Sequence, residues 1–198
     1  MDLRPITAPE QWYAAELSEA FPPSERKPLA DILALMAAGR YELLGLYDGE
    51  ALLGYATLWM EPADTSCILL DYLGVTAPCR GSGLGQEILR RLTERYQGRS
   101  LLLLESECPV EGGFPEENAL RRRRLSFYTR CGFRPIYQMA TCGLRFQTFT
   151  DAPPVDLAPV MAVHRAIYGP GRTDVKIPLA PEESPPEPPY WMKGADDL

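Results

Sequence analysis

The run Leu70-Asp71-Tyr72-Leu73-Gly74-Val75-Thr76-Ala77-Pro78-Cys79-Arg80-Gly81-Ser82-Gly83-Leu84-Gly85-Gln86-Glu87-Ile88-Leu89-Arg90-Arg91-Leu92 carries the strongest signal in this chain. An apolar strand enters a turn of alternating glycines, and an amphipathic helix follows at once. Without a Cβ, Gly81, Gly83 and Gly85 allow close approach of backbone to a ligand and expose successive N–H groups. The helix that opens there adds unpaired N–H donors and the positive end of its dipole. Arg80 adds a permanent positive charge. The combination suits a phosphate or pyrophosphate.

The order of residues selects among cofactors. A P-loop needs Gly-Lys-Ser/Thr, and no lysine lies near this turn. A dinucleotide fingerprint would read G-x-G-x-x-G, with an acid ending the next strand. Here the order is Arg-x-x-Gly-x-Gly, at Arg80, Gly83 and Gly85. A second motif stands at Phe127-Tyr128-Thr129-Arg130-Cys131-Gly132-Phe133. Together they resemble the acetyl-CoA pyrophosphate loop and the F-Y-x-x-x-G-F helix end of the GNAT superfamily of N-acetyltransferases. The resemblance covers roughly residues 1 to 149. It implies an α/β (α+β) fold, a twisted mixed sheet of six or seven strands flanked by helices, and acetyl-CoA as co-substrate.

Composition narrows the class. At 198 residues, one domain with an appendage is expected. No apolar run reaches the length of a membrane span, and Met1-Asp2-Leu3-Arg4-Pro5 does not open a signal peptide, so a cytoplasmic location is expected. The five cysteines (Cys67, Cys79, Cys108, Cys131, Cys142) form no Cys-x-x-Cys pair, so reduced thiols are expected. A single histidine, His164, argues against a His-based triad or metal centre, and no metal is expected. A net charge of −7 argues against nucleic acid.

Strands are expected at Asp2 to Ile6, Tyr41 to Tyr47, Ala51 to Met60, Ser66 to Thr76 and Ser100 to Glu105. Arg134 to Met139 and Thr141 to Phe149 should close the sheet as a hairpin. The four leucines Leu101 to Leu104 imply a central strand buried on both faces. Helices are expected from Pro9, from about Ser24, after Gly83, and over Pro115 to Arg130. From Asp151 the character changes: residues 151–198 hold ten of the twenty prolines and a net charge of −4. The chain thus divides into a domain over residues 1–150 and an extension over 151–198. That extension has one short helix over Asp156 to Tyr168 and an extended proline-rich run at 178–189. Tyr190 and Trp191 are its expected anchors.

By the resemblance, the strand before the glycine loop splays from the next strand and the acyl chain inserts between them. Leu73, Gly74 and Val75 then match residues that hold the pantetheine arm, and Arg80, Gly81, Ser82, Gly83, Leu84 and Gly85 hold the pyrophosphate. Tyr128 matches the tyrosine near the cofactor sulfur. A phenol of pKa about 10 can protonate a departing thiolate of pKa about 8.5. An amine attacking directly through a tetrahedral intermediate needs a base. Asp71, placed by β alternation on the face of Leu73, and Glu105 are the candidates, with Glu107 behind them. Where the family carries asparagine and alanine, seven and four residues before the tyrosine, this chain has Arg121 and Arg124, so one or two of these arginines could reach cofactor phosphates. Cys79 reads as loop filling, and His164, on an apolar stripe, as a packed residue. The acceptor is a small-molecule or peptide amine, with the protein a monomer or homodimer. A non-catalytic acyl-CoA-binding sensor, or an adaptor acting through its tail, is the alternative.

Overall fold

The computed structural model of the chain describes residues 1–152 and 156–188. Strand β1 (Asp2–Pro5) is followed by α1 (Pro9–Trp12) and α2 (Ser18–Ala20), joined by a π-helical turn at Tyr13–Leu17. Trp12 and Leu17 are both buried, and the wider i to i+5 turn brings this five-residue spacing to one side. A 3-10 turn (Pro23–Glu25) precedes α3 (Leu29–Ala37), so the second helix begins after Pro28 and not near Ser24. Proline disfavours helical backbone in the residue before it and suits a helix start itself.

Strands β2 (Tyr41–Asp48), β3 (Ala51–Glu61) and β4 (Asp64–Val75) form an antiparallel meander. Helix α4 (Leu84–Tyr96) crosses over to β5 (Leu101–Glu107), which runs parallel to β4. Helix α5 (Pro115–Arg130) leads into the hairpin of β6 (Arg134–Thr141) and β7 (Leu144–Thr150), and α6 (Leu157–Tyr168) follows. The sheet is seven-stranded and mixed, in the order β1-β2-β3-β4-β5-β7-β6.

The two faces of the sheet bury separate cores. On one, Trp12, Leu17, Ile32, Val160, Val163 and Ile167 pack on Leu43, Tyr55, Leu69 and Leu103. On the other, Ile88, Leu89 and Leu92 of α4, with Leu125, Phe127 and Tyr128 of α5, cover Leu44, Leu58, Leu70, Leu102 and Leu104. The four-leucine strand therefore feeds both cores, each buried side chain contributing roughly 1.5–3 kcal/mol.

Residues 156–188 belong to the same packing. Asp156 caps α6 by accepting from the Ala158 N–H at 2.9 Å. Ile177 and Leu179 are buried, and the Leu179 N–H donates to the Gln138 carbonyl at 2.8 Å. Arg145 donates to the carbonyls of Ala180, Pro181 and Glu183, so the proline-rich run is strapped along the β6–β7 hairpin without helix or strand of its own. Asp174, fully buried, accepts from the Cys142 N–H at 2.8 Å and pairs with Arg172 at 2.9 Å at the hairpin tip. Burial alone would raise its carboxyl, but these bonds hold it down at about 2. Tyr190 and Trp191 lie outside the described residues. Among the described residues no helix is long and apolar enough to cross a membrane, and no group of three or more His, Cys, Asp and Glu converges as metal ligands.

Candidate active site

Strands β4 and β5 pair only over Cys67–Leu70 and Leu101–Leu104. Beyond Leu70 and Leu104 both strands continue, to Val75 and Glu107, each held by its other neighbour. A wedge therefore opens in the middle of the sheet. At its apex β4 carries a bulge: Leu58 opposes Leu70 and Thr57 opposes Tyr72, so Asp71 has no partner on β3. An extra residue breaks the two-residue alternation. Asp71 and Tyr72 consequently share the α1–α3–α6 face, while Leu73 packs on the α4–α5 side. The expectation that Asp71 shares a face with Leu73 is corrected by this bulge.

The edge that β4 offers to the wedge is main chain. The Tyr72 N–H donates to Thr57 Oγ1 and the Thr76 N–H to the Leu53 carbonyl, both on the β3 side. Backbone groups of Leu73 and Val75 therefore point to the open side. Gly74 has a packing reason: a Cβ there would lie 2.2 Å from the Tyr55 ring.

Past the end of β4 the chain forms the glycine turn. Gly81 and Gly83 have φ of 78° and 83°, and Gly83 is the N-cap of α4, with no side-chain cap. Among the described residues the N–H groups of Gly81, Ser82, Gly83, Leu84 and Gly85 donate to no acceptor, which leaves a row of free donors at a helix N-terminus. A Cβ on Gly85 would meet Phe127 at 3.4 Å and Val75 at 3.9 Å, so this glycine seats α4 against β4 and α5. The Arg80 guanidinium stands over the Val75 carbonyl and pairs with Glu19. The donor set fits a pyrophosphate.

Tyr128 projects from α5, half-buried between Phe127 and Phe149 at ring-centroid distances of 5.3 and 6.0 Å. Burial pushes its phenol above the usual value, with Arg124 opposing, and no group among the described residues hydrogen-bonds the hydroxyl. It stays protonated at neutral pH. Arg121 is committed elsewhere: it pairs with Glu107 at 2.8 Å and Glu117 at 3.2 Å, its side chain only 14% exposed. Asn118 clips the preceding loop by bonding both the N–H and the carbonyl of Val110 at 2.8 Å.

The opposite face of the wedge apex is acidic and aromatic. Asp71 Oδ1 lies 2.6 Å from Lys27 Nζ, and its other oxygen accepts from the Tyr41 hydroxyl. The Lys27 ammonium also stands 4.3 Å over the Trp59 ring. Burial first, then the Asp71 charge, pushes the Tyr41 phenol well up. Glu105, the first residue of β5 past the last β4–β5 pair, accepts from the Tyr168 hydroxyl at 2.7 Å and has His164 Nε2 at 2.8 Å. The structure thus brings Asp71 and Glu105 to one apex and ties Glu107 into α5. Lys27, Tyr41, Trp59 and Tyr168 escaped the sequence reading. Only Tyr168 had a local signal, lying one helical turn after His164 on the same α6 face.

The profile of the acetyltransferase (GNAT) family matches residues 6–133. A protein of Bacillus subtilis (strain 168) named "Putative acetyltransferase YjbC" is 33% identical over 123 residues, 62% of this chain and 56% of that protein. The chain therefore spans little more than half the length of this relative. Among solved structures, a GNAT-family protein of Bacteroides thetaiotaomicron superposes with a TM-score of 0.67 at 20% identity, over 85% of this chain and 99% of that one. An aminoglycoside 6'-N-acetyltransferase complexed with coenzyme A gives 0.59 at 14% identity, over 79% of this chain and 100% of that one. A spermidine N-acetyltransferase chimera from Vibrio cholerae and hSSAT gives 0.55 at 10% identity, over 76% and 95%. At these identities the structural likeness concerns the fold.

Proposed function

Because the chain belongs to the acetyltransferase (GNAT) family, we propose that it moves an acetyl group from acetyl-CoA to a primary amine. The observation that carries this reading is the alignment of two features on one strand: β4 opens a wedge beyond Leu70 and ends in the row of free N–H donors at Gly81–Gly85. A pyrophosphate held there, with Arg80 beside it, directs an extended arm back along the open edge toward the apex. Acetyl-CoA supplies the thioester that an amine attacks.

The remaining roles fall to side chains of this chain. Main-chain groups of Leu73 and Val75 bind the arm, while Gly74 leaves room for the Tyr55 ring. Tyr128, protonated and without a partner among the described residues, gives its proton to the departing sulfur. On the far face Glu105, with Asp71 beside it, binds the acceptor ammonium and takes a proton from it. Lys27, seated on Asp71 and Trp59, illustrates that this wall accommodates an alkylammonium.

The test is calorimetry with acetyl-CoA, followed by thiol release over spermidine, kanamycin and a short peptide with a free N-terminus. Binding together with amine-dependent thiol release is expected. The occupied state of Asp71 and Arg121 favours a second reading, a non-catalytic acyl-CoA binder. Binding without thiol release from any of these amines selects it, and no binding removes both.

A further inference from the structure

Residues 157–188 lie beyond the match to the family profile, yet their first helix reaches the wedge apex. We infer that α6 completes the acceptor side of the site, with His164 and Tyr168 acting as positioning residues that clamp Glu105 as the proton acceptor for the incoming amine. The inference rests on the acetyl-transfer reading.

The geometry defines the clamp. Tyr168 donates to Glu105 Oε2 at 2.7 Å while its ring stacks edge-on against Trp59 at 5.1 Å, so the hydroxyl is held from behind. His164 is fully buried, with Nε2 2.8 Å from Glu105 Oε1 and Nδ1 2.9 Å from the Tyr137 hydroxyl. The Nε2–Oε1 contact is at ion-pair distance but poorly aligned as a hydrogen bond.

The Glu105 carboxylate facing Nε2 selects the tautomer, and Tyr137 is compatible with it. The Tyr137 phenol, raised by burial and then by the Glu105 charge, keeps its proton and so can donate it to Nδ1, 2.9 Å away. The ring proton then sits on Nε2, facing Glu105; the other tautomer would set a nitrogen lone pair against a carboxylate. One Glu105 oxygen thus accepts from Tyr168 while His164 Nε2 faces the other at 2.8 Å, so α6 approaches the carboxylate at both oxygens. The Glu105 side chain is 12% exposed although Oε1 is buried, so an incoming ammonium would approach from the Oε2 side. A packed histidine needs none of this: Val160, Val163 and Ile167 already seat the helix.

His164 is the only histidine in the chain, so [15N]histidine labelling yields a single imidazole. A ring carrying a proton on Nε2 is expected, with the Nε2 resonance shifted in Glu105→Gln. In steady-state kinetics with the best amine of spermidine, kanamycin and the peptide, Tyr168→Phe keeps the ring on Trp59 but removes one donor. It should lower turnover roughly tenfold and raise the amine KM, leaving acetyl-CoA affinity within about twofold. His164→Leu should act alike, and His164→Gln, which can still donate toward Glu105, should recover most of the loss. A ring with no proton on Nε2, or an Nε2 resonance indifferent to Glu105→Gln, overturns the inference. So does a folded Tyr168→Phe variant with wild-type kinetics. If His164→Leu fails to fold, Tyr168→Phe and the labelled ring decide. A wild-type protein that binds acetyl-CoA but releases no thiol overturns the acetyl-transfer reading instead.

Discussion

The two ends of the β4–β5 wedge are built by opposite means. The donor end is main chain from one continuous stretch, β4 through the first turn of α4, with positive φ at Gly81 and Gly83 exposing its N–H groups. The acceptor end is side chains gathered from distant positions: Lys27 meets Asp71 across 44 residues and Tyr168 meets Glu105 across 63. A backbone cradle tolerates any side chain that leaves its φ angles free, and fails when a Cβ intrudes. A side-chain cluster tolerates backbone adjustment, and fails one functional group at a time.

The largest effect should come from attacking the donor end. Gly83→Val forces a β-branched residue into left-handed backbone, about 1–2 kcal/mol of strain, and disturbs the row of donors. Acetyl-CoA affinity should fall on the order of 100-fold or more by calorimetry, with the circular dichroism spectrum unchanged. Native affinity in that variant would remove the cradle from the donor end.

Next comes the point where both ends meet. Tyr128→Phe deletes only a hydroxyl with no partner among the described residues, so folding stability and acetyl-CoA affinity should stay level while turnover drops by about 100-fold. Turnover at the wild-type level would reduce Tyr128 to packing between Phe127 and Phe149.

A smaller effect tests whether the strap behind the acceptor end is held as described. Asp174 titrates at about 2 in the folded protein against an ordinary 3.8. A depressed folded value means that its stabilisation is complete above about pH 4 and is lost as pH falls toward 2. Asp174→Asn should therefore lose about 2 kcal/mol in urea melts at pH 7, with the gap to wild type narrowing as pH approaches 2. An equal gap at both pH values would assign the loss to packing.

The glycine turn at the proposed donor end was legible as a turn and helix start because that information is local. The spacing of Arg80, Gly83 and Gly85 describes a turn and a helix start within one short segment, and propensity acts over that range. The leucine run at Leu101–Leu104 likewise announced a strand buried on both faces. Boundaries slipped where a neighbour intervened, as where Pro28 moves the start of α3. The bulge at Asp71 was invisible, because a one-residue slip depends on the pairing of β3 with β4 and leaves no mark in composition. His164 read as an apolar-stripe residue, and burial agrees; its partners Tyr137 and Glu105 come from two other strands.

By itself, then, the sequence determined the alternation of strands and helices and the glycine turn at the start of α4, set by local periodicity and by backbone freedom at particular glycines, while the wedge beside β4 was implied by the family resemblance. Tertiary structure alone decided which carboxylates stand together at the apex and that Arg121 is spent on Glu107. It alone brought α6 from the proline-rich extension to hold Glu105. Those outcomes follow from strand order, one bulge and one helix docking, and long-range packing of that kind is written in no single stretch of chain.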